Sequence, residues 1–333
     1  MSRHELHRPA RMKISWLAWA GFLQKLSVRC PFQWLNPPLH QLTIPCPIFN
    51  SQFFRNRFHL NNTLSSRRRA SLDDTYQTYL NRVARQTLPA TYQSQLHYIQ
   101  ESLKFERLPD GSRKAVPFPG YTVVTPPWGE ESENSAFYTN LQDIQQKLLQ
   151  ELNPGLMIAL PPDSFHLTLA DLIWESAYLD AQQANPEFEQ QLQERIGESF
   201  QKYKQLGHRG NPIGWQLLGL IVMPRALGVC LAPKDEESYQ RILHLRRLIY
   251  QNPGLIALGI EQQYHFTAHI TLGYFGDIPP DLDRDRISNL LSALNQELLT
   301  KDTTAFWVQR AQLRKFDDML RYYRAEEWPS VEF

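Results

Sequence analysis

FHLTLADLIW (165–174) and HFTAHITLGYF (265–275) share a four-residue pattern, His166-Leu167-Thr168-Leu169 in the first and His269-Ile270-Thr271-Leu272 in the second. Short runs rich in apolar, β-branched and aromatic residues read as β-strands. In a strand, residues i and i+2 point to the same face. His166 and Thr168 therefore project together, and so do His269 and Thr271. Leu167 and Ile270 point the other way, into a core, and Leu169 and Leu272 extend that apolar face. Each strand presents one imidazole and one hydroxyl from a packed scaffold.

Reading outward, each motif strand follows a helix and an Asn-Pro-Gly stop. Asn140 to Leu152 reads as an amphipathic helix with Leu141, Ile144, Leu148 and Leu149 on one side, closed by Asn153-Pro154-Gly155. Glu236 to Tyr250 reads likewise, closed by Asn252-Pro253-Gly254. Tyr121 to Thr125 and Met157 to Leu160 are short strands. Trp215 to Met223 and Arg225 to Leu231 form a hairpin, as do Phe306 to Phe316 and Leu320 to Tyr323. Helices are expected near Leu72 to Val83, Tyr92 to Phe105 and Leu291 to Leu299, and a polar connector helix over 179–206. The order predicts an α+β, bilobal, duplicated fold: two antiparallel sheets flank a central cleft, with helices outside. Lobe one spans about 115–178 and lobe two about 211–328, within one unit at 71–333.

Two such strands side by side bring two imidazoles and two hydroxyls to one cleft. Imidazole titrates near neutrality. One neutral ring takes a proton from a nucleophile while a protonated one gives a proton to the leaving oxygen. Hydroxyls donate to non-bridging phosphoryl oxygens as charge shifts. The set suits metal-free attack on a phosphodiester.

With these residues in place, the chain resembles the two-histidine (2H) phosphoesterase superfamily, whose signature is two copies of His-apolar-Thr/Ser-apolar, one from each lobe. The superfamily includes RNA 2′,3′-cyclic phosphodiesterases and 2′–5′ RNA ligase-like proteins, and the chain looks most like a bacterial subgroup. The resemblance covers about residues 115 to 328; the helices at 72–105 and 179–206 look like additions, and the two histidines lie 103 residues apart, a long separation for the superfamily. It implies a cyclic phosphodiesterase with His166 and His269 as catalytic acid and base, in either order, and Thr168 and Thr271 as substrate-binding hydroxyls. The substrate it implies is a nucleotide or RNA-end phosphodiester, a 2′,3′-cyclic phosphate first among them. Ligase or transferase use of the same site, and a non-catalytic nucleotide- or RNA-end-binding protein, remain the alternatives.

Secondary candidates surround the motifs. His265, four residues before His269, shares its face in a regular strand. Arg225 is a phosphate ligand candidate, and Tyr274 and Tyr121 are candidates to stack on a base. Pro117 to Gly120 reads as a rim loop. Asp171 falls on the apolar face if its strand is regular. No H-E-x-x-H or carboxylate-rich cluster accompanies the histidines, so no metal and no cofactor is expected.

Of 35 basic and 34 acidic residues, 11 and one fall within residues 1–70, leaving 24 and 33 in the remainder, a net of −9. An acidic body argues against a grip on long nucleic-acid duplex, which needs many cations, but allows a small phosphate ester in a pocket. The basic segment 1–70 reads as a disordered or targeting extension, or as an upstream start, with Met12 one internal alternative. Its apolar run, Ile14 to Leu23, falls short of the roughly 20 residues that cross a bilayer. Three cysteines without C-x-x-C spacing give no disulfide framework or zinc site. A monomer in the cytoplasm is expected.

Overall fold

The computed structural model describes residues 73–207, 211–301 and 305–333. The extension expected over 1–70 lies outside the described residues. In chain order the elements are α1 (Tyr76–Gln86), α2 (Pro89–Gln95), β1 (Phe105–Arg107), β2 (Arg113–Ala115), β3 (Gly120–Val124), α3 (Ser135–Glu151), β4 (Met157–Ala159) and β5 (Thr168–Trp174). There follow α4 (Glu175–Ala184), α5 (Phe188–Gln205), β6 (Ile213–Met223), β7 (Ala226–Pro233), α6 (Glu236–Tyr250), α7 (Pro253–Ala257) and β8 (His269–Phe275). The last are α8 (Arg284–Thr300), β9 (Ala305–Val308), β10 (Arg310–Phe316), β11 (Tyr322–Tyr323) and β12 (Ser330–Glu332).

The expected α+β architecture with two antiparallel sheets is borne out. One sheet runs β11-β10-β3-β5, with β12 also on β10; the other runs β4-β8-β7-β6-β9. The sheets do not follow the halves of the chain. β4, from the first half, pairs with β8, and β10, from the end, returns to β3 with β11 and β12 paired to it. The run 306–316, read as one strand, is two: β9 pairs with β6, the chain changes sheet at Gln309, and β10 pairs with β3. An alternating sequence carries no mark of such a switch.

Helix α6 has the bounds expected. The Asp235 side chain accepts from Ser238 N–H at 2.7 Å, satisfying a first-turn donor. Glu236 and Glu237 in the first turn and Arg247 in the last complement the helix dipole. In α3, Leu141, Ile144 and Leu148 are buried as expected, while Leu149 is 43% exposed. The connector expected over 179–206 is two helices, α4 and α5. Asn185 stands before Pro186, which forces it out of the helical region, to φ −139° and ψ 101°. The helix expected over 92–105 stops at Gln95. Phe105 instead opens a hairpin with β2, turned at Asp110-Gly111, where Gly111 has φ +85°. Asn252-Pro253-Gly254 does not end in a loop: Asn252 accepts from Gly254 N–H at 2.9 Å and starts α7.

The motif strands begin later than the expected positions 165 and 265, at Thr168 and His269. Leu167, Leu169, Ile270 and Leu272 are all fully buried, on the core side as expected. Each strand then bulges at the leucine of its motif. Thr168 pairs with Val124 and Ala170 with Val123, so Leu169 is skipped; Thr271 pairs with Gly228 and Gly273 with Leu227, so Leu272 is skipped. A bulge frees backbone groups, and here helices take them up. Arg246 on α6 donates to Leu169 O, and Gln145 on α3 donates to Leu272 O at 2.7 Å and Leu160 O at 2.8 Å.

Candidate active site

The two motifs meet. His166, Thr168, His269 and Thr271 all line one cavity of about 570 Å³ between the sheets. Their side chains are partly exposed while the residues between them are buried, the alternation expected of two strands facing a cleft.

Both imidazoles are held alike. His166 Nδ1 lies 2.8 Å from Ser164 O, and His269 Nδ1 lies 2.8 Å from Thr267 O. A carbonyl only accepts, so Nδ1 carries the proton in each ring and Nε2 is left to exchange one. The Tyr322 ring packs 4.2 Å from the His166 ring at 58°. Although its side chain is partly open to the cavity, the protein packed around the His166 imidazole desolvates it and pushes it down from its ordinary value to about 4; the hydrogen bond to Ser164 opposes this, and the charges of Arg314 and His269 add to it. Arg314 is 1% exposed, held by Glu130 and Gln312, and donates to Tyr322 O at 2.9 Å.

The bulges decide what else faces the cavity. In β5 the register slips again after Asp171, so Thr168, Asp171 and Trp174 share the cavity face, not Thr168, Ala170 and Leu172. Asp171 is thus a cavity residue, contrary to its place in a regular strand. The bulge at Leu272 likewise brings Tyr274 onto the face of His269 and Thr271. Asp171 and Tyr274 stand at equivalent positions, each five residues beyond its histidine.

Of the secondary candidates, Tyr274 and Arg225 line the cavity; Arg225 also donates to Gln100 Oε1 at 3.1 Å. Pro117 and Phe118 line it too, where a rim loop was expected. Tyr121 and His265 do not. Tyr121 is fully buried on the other face of its sheet, its hydroxyl donating to Glu189 Oε2 at 2.7 Å, so no base reaches it. His265 lies before β8 rather than in it, so strand parity does not apply; its side chain is 50% exposed and 3.4 Å from Asp74.

Lys104 is a cavity residue that the sequence reading missed, because its segment reads as the tail of a helix. Its ammonium sits 4.4 Å from the Phe118 ring centre and 5.3 Å from that of Tyr274, and donates to Met319 Sδ at 3.1 Å. Burial pushes the amine down to about 8, against the pull of Asp171 and Glu175 and with the push of Arg225. Rings and a thioether attract a cation without neutralising it. Among the described residues no three His, Cys, Asp or Glu side chains are grouped to hold a metal. No helix among them is long and apolar enough to cross a membrane.

Residues 109–196 match a family model described as 2H-phosphodiest, domain of unknown function (DUF1868). That span includes the first motif and ends before the second. No curated protein matches the chain. Similar solved structures include a conserved protein of unknown function, ATU0111, from Agrobacterium tumefaciens str. C58, 15% identical, covering 70% of this chain and 96% of its own, with a TM-score of 0.44. E. coli LigT complexed with 3′-AMP is 16% identical over 65% of this chain and 98% of its own, TM-score 0.33. Kluyveromyces marxianus Usb1 with uridine monophosphate is 8% identical over 65% and 99%, TM-score 0.37. The resemblance to the two-histidine phosphoesterases read from the motifs is borne out by the family match.

Proposed function

We propose that the unit at 71–333 is a monomeric phosphodiesterase that opens a 2′,3′-cyclic phosphate on a nucleotide or RNA end, using His166 and His269 as base and acid. The reading is carried by one observation: two imidazoles, each with Nδ1 tied to the carbonyl two residues upstream, line the same cavity beside their own threonines. With Nδ1–H fixed, Nε2 of each ring is the atom that cycles a proton.

Burial keeps His166 neutral near pH 7, which suits the base. Its Nε2 takes a proton from water as the water oxygen bonds to phosphorus. The bond from phosphorus to one ribose oxygen breaks, and that oxygen takes the Nε2 proton of His269. The product is a phosphomonoester beside a free hydroxyl; His166 ends protonated and His269 neutral, and exchange with solvent restores both. Thr168 and Thr271 donate to the non-bridging oxygens, where charge rises in the transition state. Lys104 and Arg225 supply cations for the anionic substrate, and Tyr274 a face for its base.

The experiment is a screen of cyclic and linear phosphodiesters, as nucleotides and short RNA ends, against the full chain and His166→Ala. The proposal expects turnover of a cyclic phosphate that His166→Ala loses. Binding of the nucleotide without turnover by the wild type is the outcome that replaces it with the binding-protein alternative.

A further inference from the structure

The carbonyls that hold His166 and His269 are themselves supported by different means. Ser164 belongs to a short turn, Pro162–Ser164, within the same stretch of chain as His166. Thr267, whose carbonyl orients His269, lies in the irregular strap that leads into β8, and the strap is gripped by α1, which precedes the family-matched span.

The grip covers three consecutive residues. Arg82 donates from Nη2 to Phe266 O at 2.5 Å and from Nη1 to Thr267 Oγ1 at 2.7 Å, while its Nε donates to Asp74 Oδ2 at 2.8 Å. The Tyr79 hydroxyl accepts from Ala268 N–H at 3.1 Å and donates to Leu231 O at 2.9 Å. The Tyr79 ring stacks on Phe266 at 6.1 Å and 23°. Thr267 C=O and Ala268 N–H are the two ends of one rigid peptide unit. One end accepts from His269 Nδ1, and the other donates to Tyr79. The carbonyl that accepts from the imidazole thus shares a rigid plane with an N–H held by a buried hydroxyl on α1.

We propose that Tyr79 and Arg82 are positioning residues for His269: α1 fixes the peptide plane that holds the ring in its Nδ1–H form and aims Nε2 at the substrate. This rests on the catalytic reading of His269 given above. A ring released from its carbonyl exchanges tautomers and swings, and displacement of a catalytic group by about 1 Å costs about 100-fold in rate. The substrate-binding threonines and Lys104 are untouched by these contacts, so the loss falls on kcat and not on KM.

The test uses the full chain as Tyr79→Phe, which removes one oxygen, with 15N NMR of the His269 ring and steady-state kinetics on the turned-over phosphodiester. With the ring in its neutral state, wild type is expected to show His269 as a single Nδ1–H tautomer. Tyr79→Phe is expected to show mixed tautomers, with kcat reduced about tenfold to 100-fold and KM within about twofold. If Tyr79→Phe does not fold, Arg82→Lys carries the same test, since it keeps a cation facing Asp74 while losing the forked grip on 266 and 267. A folded variant with the wild-type tautomer and wild-type kcat overturns the proposal. His269→Ala separates this failure from that of the catalytic reading: full turnover in His269→Ala overturns the reading, whereas the ring spectra still decide whether α1 orients the imidazole.

Discussion

His166 and His269 stand in the same relationship to their own backbones, each donating Nδ1–H across 2.8 Å to the carbonyl two residues upstream, Ser164 and Thr267. This geometry leaves one exchangeable nitrogen per ring. It holds whether a ring is neutral or charged, because Nδ1 keeps its proton in both states. A base that gains a proton and an acid that loses one within a turnover need that property.

The burial of His166 predicts where activity fails in acid. Its imidazole titrates near 4, so the base stays neutral well below the ordinary histidine value of about 6.5. The acid limb of kcat/KM is expected near pH 4, with no fall between about pH 7 and 5. A half-maximal rate near pH 6.5 on the acid side contradicts a base held neutral by its enclosure.

The same shift has a stability consequence. The folded value lies below the unfolded one, so between about 6.5 and 4 the unfolded chain binds the extra proton. Stability from this group is full above about pH 6.5 and is lost as pH falls toward 4. Urea unfolding of wild type and His166→Asn between pH 7 and 4 measures it. Wild type is expected to lose more stability over that window, and parallel curves contradict the shift.

Lys104 predicts a change in binding on the alkaline side. Its amine is charged below about pH 8 and neutral above. KM for an anionic phosphodiester is expected to rise as pH passes 8. Lys104→Met should raise KM about tenfold or more at pH 7, since hydrogen bonds to charged groups contribute roughly 1.5–3 kcal/mol. It should also remove the alkaline rise, and Lys104→Arg should restore binding without that rise. A KM unchanged in Lys104→Met contradicts a role for this cation.

Gln145 predicts a stability loss away from the chemistry. Its amide donates to both Leu160 O and Leu272 O, the second being the carbonyl at a motif bulge. Gln145→Leu removes the side-chain donor to Leu160 O and one of two donors to Leu272 O, which keeps Leu160 N–H at 3.0 Å, at a cost of about 1–3 kcal/mol. Chemical denaturation checks it, and a variant as stable as wild type shows that the bulge does not depend on α3.

What the sequence made legible followed from local rules. The alternation of His166, Leu167, Thr168 and Leu169 needs only the two-residue period of a strand, and α6 follows from apolar residues at helical spacing over Glu236 to Tyr250. What it hid depends on partners distant in sequence. Whether Asp171 faces core or cavity is decided by its register against Thr122, and no property of DLIW reveals a bulge. The switch of sheet at Gln309 is set by β6 and β3 competing for neighbouring segments of the chain. Asn185-Pro186 is a local signal for two helices that the expectation of a single connector over 179–206 passes over. Lys104 had no signal, since the Phe118 and Tyr274 rings that shelter it are brought together only by the fold.

The central claim is that two imidazoles act on one phosphorus as a unit, and kcat/KM for a 2′,3′-cyclic nucleotide in His166→Ala, His269→Ala and the double variant tests it most directly. Residues that act together are non-additive. Each single variant is expected to lose about 100-fold to 10,000-fold, the range of a lost acid or base, and the double variant to fall little below the weaker single. A single variant within about tenfold of wild type, or losses that multiply in the double variant, contradicts the paired mechanism.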